Sequence, residues 1–299
     1  MLEAVKQRET ARIHLLVAKE APIAVIIRRK PSKCFHIIKW HLKTGQFEHG
    51  SWFKGKLYPM RCDLSWDGKF MSYLAMGSKG ETWNGVCEAP WLKTILESEN
   101  TGTWNGGGIF WRRDEFLSNQ TDDVELDKKG DWPKTIKISR LQTFVGEDES
   151  MLYHRFQRDG WKLAIEGELH DTFDSEGCFM PDHQMPWKHH HQWKPTKNHP
   201  VLQTKFVGYR GSYFGDDDWE AQSDIYEARS GRIFHFELLG YPDLLGPQVD
   251  WATWTFTGDL IWTTDGIVYQ QSLDGLAEGH SPQSFDFEDL VSPKKEESS

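Results

Sequence analysis

The residues with the clearest capacity for chemistry lie in one aperiodic stretch between His170 and Pro200. His183, His189, His190 and His191 fall there, with Asp182 and His199 close by. Three or four imidazoles that converge can hold zinc, nickel or copper. Adjacent side chains of an extended segment point alternately, so His189 and His191 share one face while His190 points away. No HxxxH or HExxH spacing accompanies them, and an exposed polar loop is the favoured expectation. A second constellation is Glu166, Glu168, His170 and Asp171, on or just past an expected strand. Alternation puts Glu166, Glu168 and His170 on one face, where carboxylates with a histidine can act as acid, base or cation ligands. Charged residues also guard solvent-facing strand edges, and that use is the expected one. Asp216-Asp217-Asp218, between Gly215 and Trp219, lacks the spaced DxDxDG pattern and the later bidentate glutamate of a calcium loop.

No GxSxG, P-loop or post-strand GxGxxG occurs, and Gly106-Gly107-Gly108 is not followed by Lys-Ser/Thr. With no complete catalytic signature, the expected function is non-enzymatic: a scaffold that binds a protein partner and carries no cofactor. Irregular loops on a rigid frame carry recognition, so Trp187, His189, His191, Trp193 and Trp219 are the expected contact residues. One alternative is a metal-dependent hydrolase, with His183, His189, His191, Glu166 and His170 holding a divalent ion such as zinc. Another is carbohydrate binding through exposed Trp and Asp.

The balance of 35 Lys and Arg against 45 Asp and Glu gives a net charge of −10 over 299 residues. Nucleic-acid affinity rests on Lys and Arg at phosphates, so no nucleic-acid partner is expected. The short clusters Arg28-Arg29-Lys30 and Lys294-Lys295 read as solvated turns. Charges interrupt the first twenty residues and no run approaches 18 apolar residues, so neither a secretory signal nor a membrane span is expected, and the location is cytoplasmic. Cys34, Cys62, Cys87 and Cys178 show no CxxC spacing and suit a reduced compartment. Fifteen Trp are spread from Trp40 to Trp262. Side chains of that size fill the gaps between packed sheets.

The elements that must position these residues read as short strands. Val249 to Tyr269 alternates apolar with small or polar residues through Trp254 and Phe256, Leu260 and Trp262, then Ile267 and Tyr269. Turns at Thr257-Gly258-Asp259 and Thr264-Asp265-Gly266 make it an antiparallel meander. Cys62 to Leu74 repeats the pattern around Asp67-Gly68, and Tyr153 to Leu163 echoes it around Asp159-Gly160. Near the start, 13–18, 22–29, 34–42 and 46–53 read as four strands, the second apolar enough to be buried on both faces. Three glycines before Ile109-Phe110-Trp111 suit a strand entering a crowded centre or a flexible turn. Pro90 to Glu97 suits an outer strand or a short helix.

The run Asp63-Leu64-Ser65-Trp66-Asp67-Gly68-Lys69-Phe70 resembles the SxDG inter-strand turn of WD40-like and TolB-like β-propeller blades. Asp250 to Trp254, followed by Gly258-Asp259-Leu260, resembles a variant of it. The usual Gly-His and Trp-Asp pairs of WD40 repeats are absent, which implies divergent blades. The resemblance implies fold alone. The expected fold is therefore all-β: a single β-propeller domain over residues 1–274, of about five blades, followed by a partly disordered tail over 275–299. Six blades, or a paired β-sandwich, are the alternatives. Ring closure is expected to pair the strand near Ile13 with the C-terminal meander.

Overall fold

The computed structural model describes residues 10–100, 102–119, 126–141, 147–165, 168–170, 173–174, 177–178, 187–189, 200–209, 232–246 and 249–293. Strand dominates them, as expected of an all-β chain. The first sheet pairs β1 (Arg12–Val17), β2 (Ile23–Arg29), β3 (Cys34–His41) and β4 (Gln46–Lys54) in that order, all antiparallel. The second contains β5 (Lys56–Leu57), β6 (Asp63–Leu64), β7 (Phe70–Met76), β8 (Thr82–Glu88) and β9 (Thr94–Asn100). The third begins with β10 (Gly108–Arg112) and β11 (Glu115–Ser118). From there β12 (Asp127–Lys128) returns to the edge of the second sheet beside β9, and β13 (Lys137–Arg140) runs parallel to β11.

A helix, α1 (Glu147–Arg158), interrupts the strands. The fourth sheet has the order β15 (Glu168–His170), β14 (Trp161–Ile165), β18 (Trp187–His189), β19 (Leu202–Tyr209), β20 (Arg232–Leu238); β16 (Phe173–Asp174) and β17 (Gly177–Cys178) form a separate ribbon. The last sheet runs β21 (Trp251–Trp254), β22 (Leu260–Thr264), β23 (Ile267–Gln271), β24 (Gln283–Asp286). A short helix, α2 (Leu273–Ala277), joins its last two strands, capped by Ser272 Oγ accepting from Gly275 N. The stretch beyond residue 274 thus completes the last sheet.

Side-chain alternation determines which sheet lies against which. In β1 to β3, Ile13, Ala24, Ile26 and Trp40 belong to a core shared with the last sheet. The residues between them, Leu16, Val25, Ile27 and Ile37, belong to a second core with Met71, Tyr73 and Ala75 of β7. The first sheet is therefore buried on both faces, between the last sheet and the second. The other face of the second sheet, through Phe70, Val86 and Leu96, packs on Phe110 and Phe116 of the third and on Trp132 in the connection before β13. The third sheet turns Ile109 toward Met151 of α1. Leu152 and Phe156 of the same helix pack with Leu163 and Phe236 of the fourth sheet and Trp251 of the last. Each fully buried large aliphatic or aromatic side chain contributes about 1.5–3 kcal/mol.

The turn that carries the SxDG resemblance is built by its own side chains. Phe70 N donates to Ser65 Oγ at 2.8 Å, Ser65 Oγ donates to Asp67 Oδ1 at 2.5 Å, and Lys69 N donates to the same carboxylate at 3.0 Å. Gly68 sits at φ +74°, and a Cβ there would lie 2.7 Å from Ile23. Only glycine meets both demands. In the last sheet, Thr255 takes the place of the serine: Asp259 N donates to Thr255 Oγ1 at 3.1 Å, with Gly258 at φ +96°. The triple glycine also has a steric reason. A Cβ on Gly107 would lie 2.5 Å from the Arg61 carbonyl oxygen, so the entry to β10 has no room for a side chain.

Three expectations are corrected. The strand-like echo over 153–163 is a helix up to Arg158, in which Leu152 and Phe156, four residues apart, share the face that packs into the core. The strand near Ile13 does not hydrogen-bond into the C-terminal meander. It heads its own sheet and packs against β21 and β22 through side chains, with Thr263 Oγ1 donating to Ile13 O at 3.0 Å. Arg28 is not on a solvated turn but buried, donating to the carbonyl oxygens of Phe287 and Glu288. The Glu288 carboxylate accepts from Lys30 Nζ and from Ala11 N, so the turn after β24 clasps the first sheet. Among the described residues no helix is long and apolar enough to cross a membrane.

Candidate functional site

The densest group of charged side chains among the described residues lies where β1, β6, β10, α1 and β21 approach one another. Local sequence explains why α1 delivers two arginines there. Its first turn is acidic and its last turn carries Arg155 and Arg158, the arrangement the helix dipole favours. Arg158 forms a fork on Asp63 of β6, with Nη2 to Oδ1 at 2.9 Å and Nη1 on Oδ2. The same arginine donates to the Phe110 carbonyl oxygen at 2.9 Å, and Phe110 N donates to Asp63 Oδ2 at 2.8 Å. Asp159 accepts from Arg158 Nε at 2.8 Å and from Lys19 Nζ at 2.6 Å. Three elements far apart in sequence are thereby locked together.

Arg155 completes the group. Nη1 donates to Cys62 O at 2.7 Å, Nη2 to His14 Nε2 at 3.1 Å, and the guanidinium lies 5.3 Å from the Trp251 ring. Arginine only donates, so His14 accepts through Nε2 and carries its own proton on Nδ1. A cavity about the size of one water molecule adjoins Arg155, Asp63, Arg158, Trp251 and Thr253.

The electrostatics argue against these groups as acids, bases or nucleophiles. Burial alone would raise Asp159, but Arg158 and Lys19 outweigh it and hold the carboxyl below its usual range. Burial lowers Lys19, with Asp159 opposing. Burial pushes the Cys62 thiol up to about 12 and raises Cys87 further, far from the thiolate a nucleophile needs. Site-resolved alkylation at pH 8 should therefore leave Cys62 and Cys87 unmodified in the folded protein and modify both in urea. Rapid labelling of either in the folded state would contradict their placement.

Two histidines titrate with folding. Burial, and then Arg155, holds His14 well below 6.5. His36 is stacked on Trp52 at 4.0 Å and hydrogen-bonded to His49 at 3.0 Å; it is lowered to about 4, by burial first, against the bond to Ser51 O. Both pKa values are depressed in the fold, so the unfolded chain binds more protons below pH 6.5. Their stabilisation is full above that pH and falls as pH drops, by about 1.4 kcal/mol per pH unit for each ring. Urea midpoints at pH 7 and pH 5 should differ markedly. The double variant His14→Gln, His36→Gln should lose most of that difference; an equal fall in the variant would assign the acid loss to other groups.

The residues expected to bind or ligate are placed as follows. Trp187 and His189 lie on β18, in register with Leu163 and Trp161 on one side and Thr204 and Leu202 on the other. His170 ends β15, opposite Leu163 on the other side of β14. The backbone thus brings His170 and Trp187 to the two flanks of one residue. Glu166, His183, His191, Trp193 and Trp219 lie outside the described residues, as does Asp171. Among the described residues no three His, Cys, Asp or Glu are grouped to hold a metal ion. The buried ion group has no local signature in the sequence, because Asp63 and Arg158 are separated by 95 positions.

No family model matches this chain, and no curated protein matches it. Its function has to be argued from its own residues.

Proposed function

We propose that the five larger sheets are the blades of a divergent β-propeller, and that the chain serves as a protein-binding scaffold without catalytic activity. The ring reading is supported by the stacking order, in which each sheet is covered by the next and α1 fills the inner position of the fourth blade. The scaffold reading rests on one contrast. At the centre, charged side chains are engaged with one another and with backbone carbonyls, and the thiols are buried. On the outside, two large aromatic side chains among the described residues stay exposed, Trp91 at 51% and Trp104 at 65%. Trp104 stands on held backbone, because Arg61 Nη1 donates to the carbonyl oxygens of Thr103, Trp104 and Asn105, and Trp91 is oriented through its indole, whose Nε1 donates to Glu48 Oε1 at 3.1 Å. Exposed aromatics on a rigid frame are the usual anchors of an interface. Trp187, His189, His191, Trp193 and Trp219 are the further contact residues of this proposal.

The test is quantitative affinity capture from source-cell lysate with wild type, Trp104→Ala and Trp91→Ala. A specific partner should be retained by wild type and reduced at least tenfold in one variant, with thermal melts unchanged. Equal retention by all three would remove these residues from the account. One bound zinc per chain, after purification without a histidine tag, would favour the metal-dependent hydrolase instead.

A further inference from the structure

We infer that the cavity at the axis is a binding site for one small monovalent anion, of the size and charge of chloride, held by Arg155. Arg155 has no opposite charge in hydrogen-bonding contact among the described residues. Arg155 is 4% exposed. Its contacts are a carbonyl oxygen, a neutral imidazole and the face of an indole, none of which carries a negative charge. A guanidinium has five N–H donors, and these contacts engage two of them. Buried charges are ordinarily paired, because an uncompensated one costs several kcal/mol to desolvate.

The nearby carboxylates do not fill that role. Asp63 is forked on Arg158 and held by Phe110 N, and Asp159 bridges Arg158 and Lys19. Arg155 is therefore the guanidinium of the group left without its own carboxylate among the described residues. The cavity it lines also receives Thr253, whose hydroxyl makes only a long 3.5 Å contact with Trp254 O and is free to turn toward an anion. Leu15 and Trp251 complete an apolar wall that strengthens any charge interaction inside. Space for about one water molecule takes a chloride ion only with a small outward shift of the wall, and excludes phosphate or an organic acid. The two carboxylates in the wall disfavour any multiply charged anion. The inference does not depend on partner binding.

A ligand that binds only the folded state raises its melting temperature with concentration until the site saturates. Melting of the full chain is followed at fixed pH and fixed ionic strength while sodium gluconate is replaced by sodium chloride. The wild type should gain about 2 °C or more, with a saturating curve. Arg155→Met should show no difference between the two salts. Equal wild-type melts in chloride and gluconate would overturn the inference, as would an undiminished chloride response in Arg155→Met. Should that variant not fold, crystals of the wild type grown in bromide decide the matter. An anomalous peak within hydrogen-bonding reach of the Arg155 guanidinium supports the site, and its absence there refutes it.

Discussion

Replacing Arg158 by methionine is expected to destabilise the fold by about 3–5 kcal/mol, a large share of the stability of any single domain. Asp63 and Arg158 are both almost completely buried, so the ordinary discount for surface ion pairs does not apply. Removing the arginine leaves Asp63 ionised in a site whose remaining donor is Phe110 N, and leaves Asp159 with Lys19 as its cation. The Phe110 carbonyl oxygen also loses one of its donors, keeping the Trp66 indole N–H at 2.9 Å. Neither loss can be made good by water, because the cavity has room for about one molecule. Urea denaturation of wild type and Arg158→Met measures the difference. A change below about 1 kcal/mol would mean that the pair is solvated and does not hold the sheets together.

Truncating Trp251 to alanine is the second large effect, at about 3–5 kcal/mol. This indole is where three parts of the chain meet. His14 of the first sheet lies 4.2 Å from it, Phe156 of α1 6.0 Å, and Phe236 of the fourth sheet 5.5 Å, while the Arg155 guanidinium covers its face. Partners from three different elements cannot collapse together into the space left behind, so the loss falls toward the upper end of the range. Trp251→Phe, which keeps a flat ring at lower volume, should cost well under half as much. If the alanine and phenylalanine variants unfold at the same urea concentration, contact with the ring face is not what matters at this position.

How much of this was legible beforehand follows from where each signal lives. The strands of the first sheet and of the last meander show in the sequence to within a residue or two. Their alternation and their Gly turns are local, and Asp67-Gly68 and Asp265-Gly266 allow few other conformations. The edge strand beyond Gly275 is hinted at by Phe285 and Phe287, which rest on Phe47 of the first sheet. Helix α1 carries a helical signal in Leu152 and Phe156, four apart, but the neighbouring Met151 and Tyr153 widen its apolar face and also fit an alternating strand reading. Its remaining clue is charge order, acidic in the first turn and basic in the last. The buried ion group is invisible for a different reason: Lys19, Asp63 and Arg158 read as ordinary turn and helix-end charges until the fold brings them together. The histidine-rich stretch drew attention because its residues are adjacent in sequence, whereas the geometry assembles its buried charges from positions far apart.

These buried charges hold β6, β10 and α1 to one another. A double-mutant cycle on Asp63→Asn and Arg158→Met, read as unfolding free energies from urea denaturation, tests it most directly. Direct contact in a buried site predicts a coupling of about 2 kcal/mol or more, the double variant being clearly more stable than the sum of the two single losses implies. Additivity within about 0.5 kcal/mol would show that β6 and α1 do not meet through this pair, and would contradict the account.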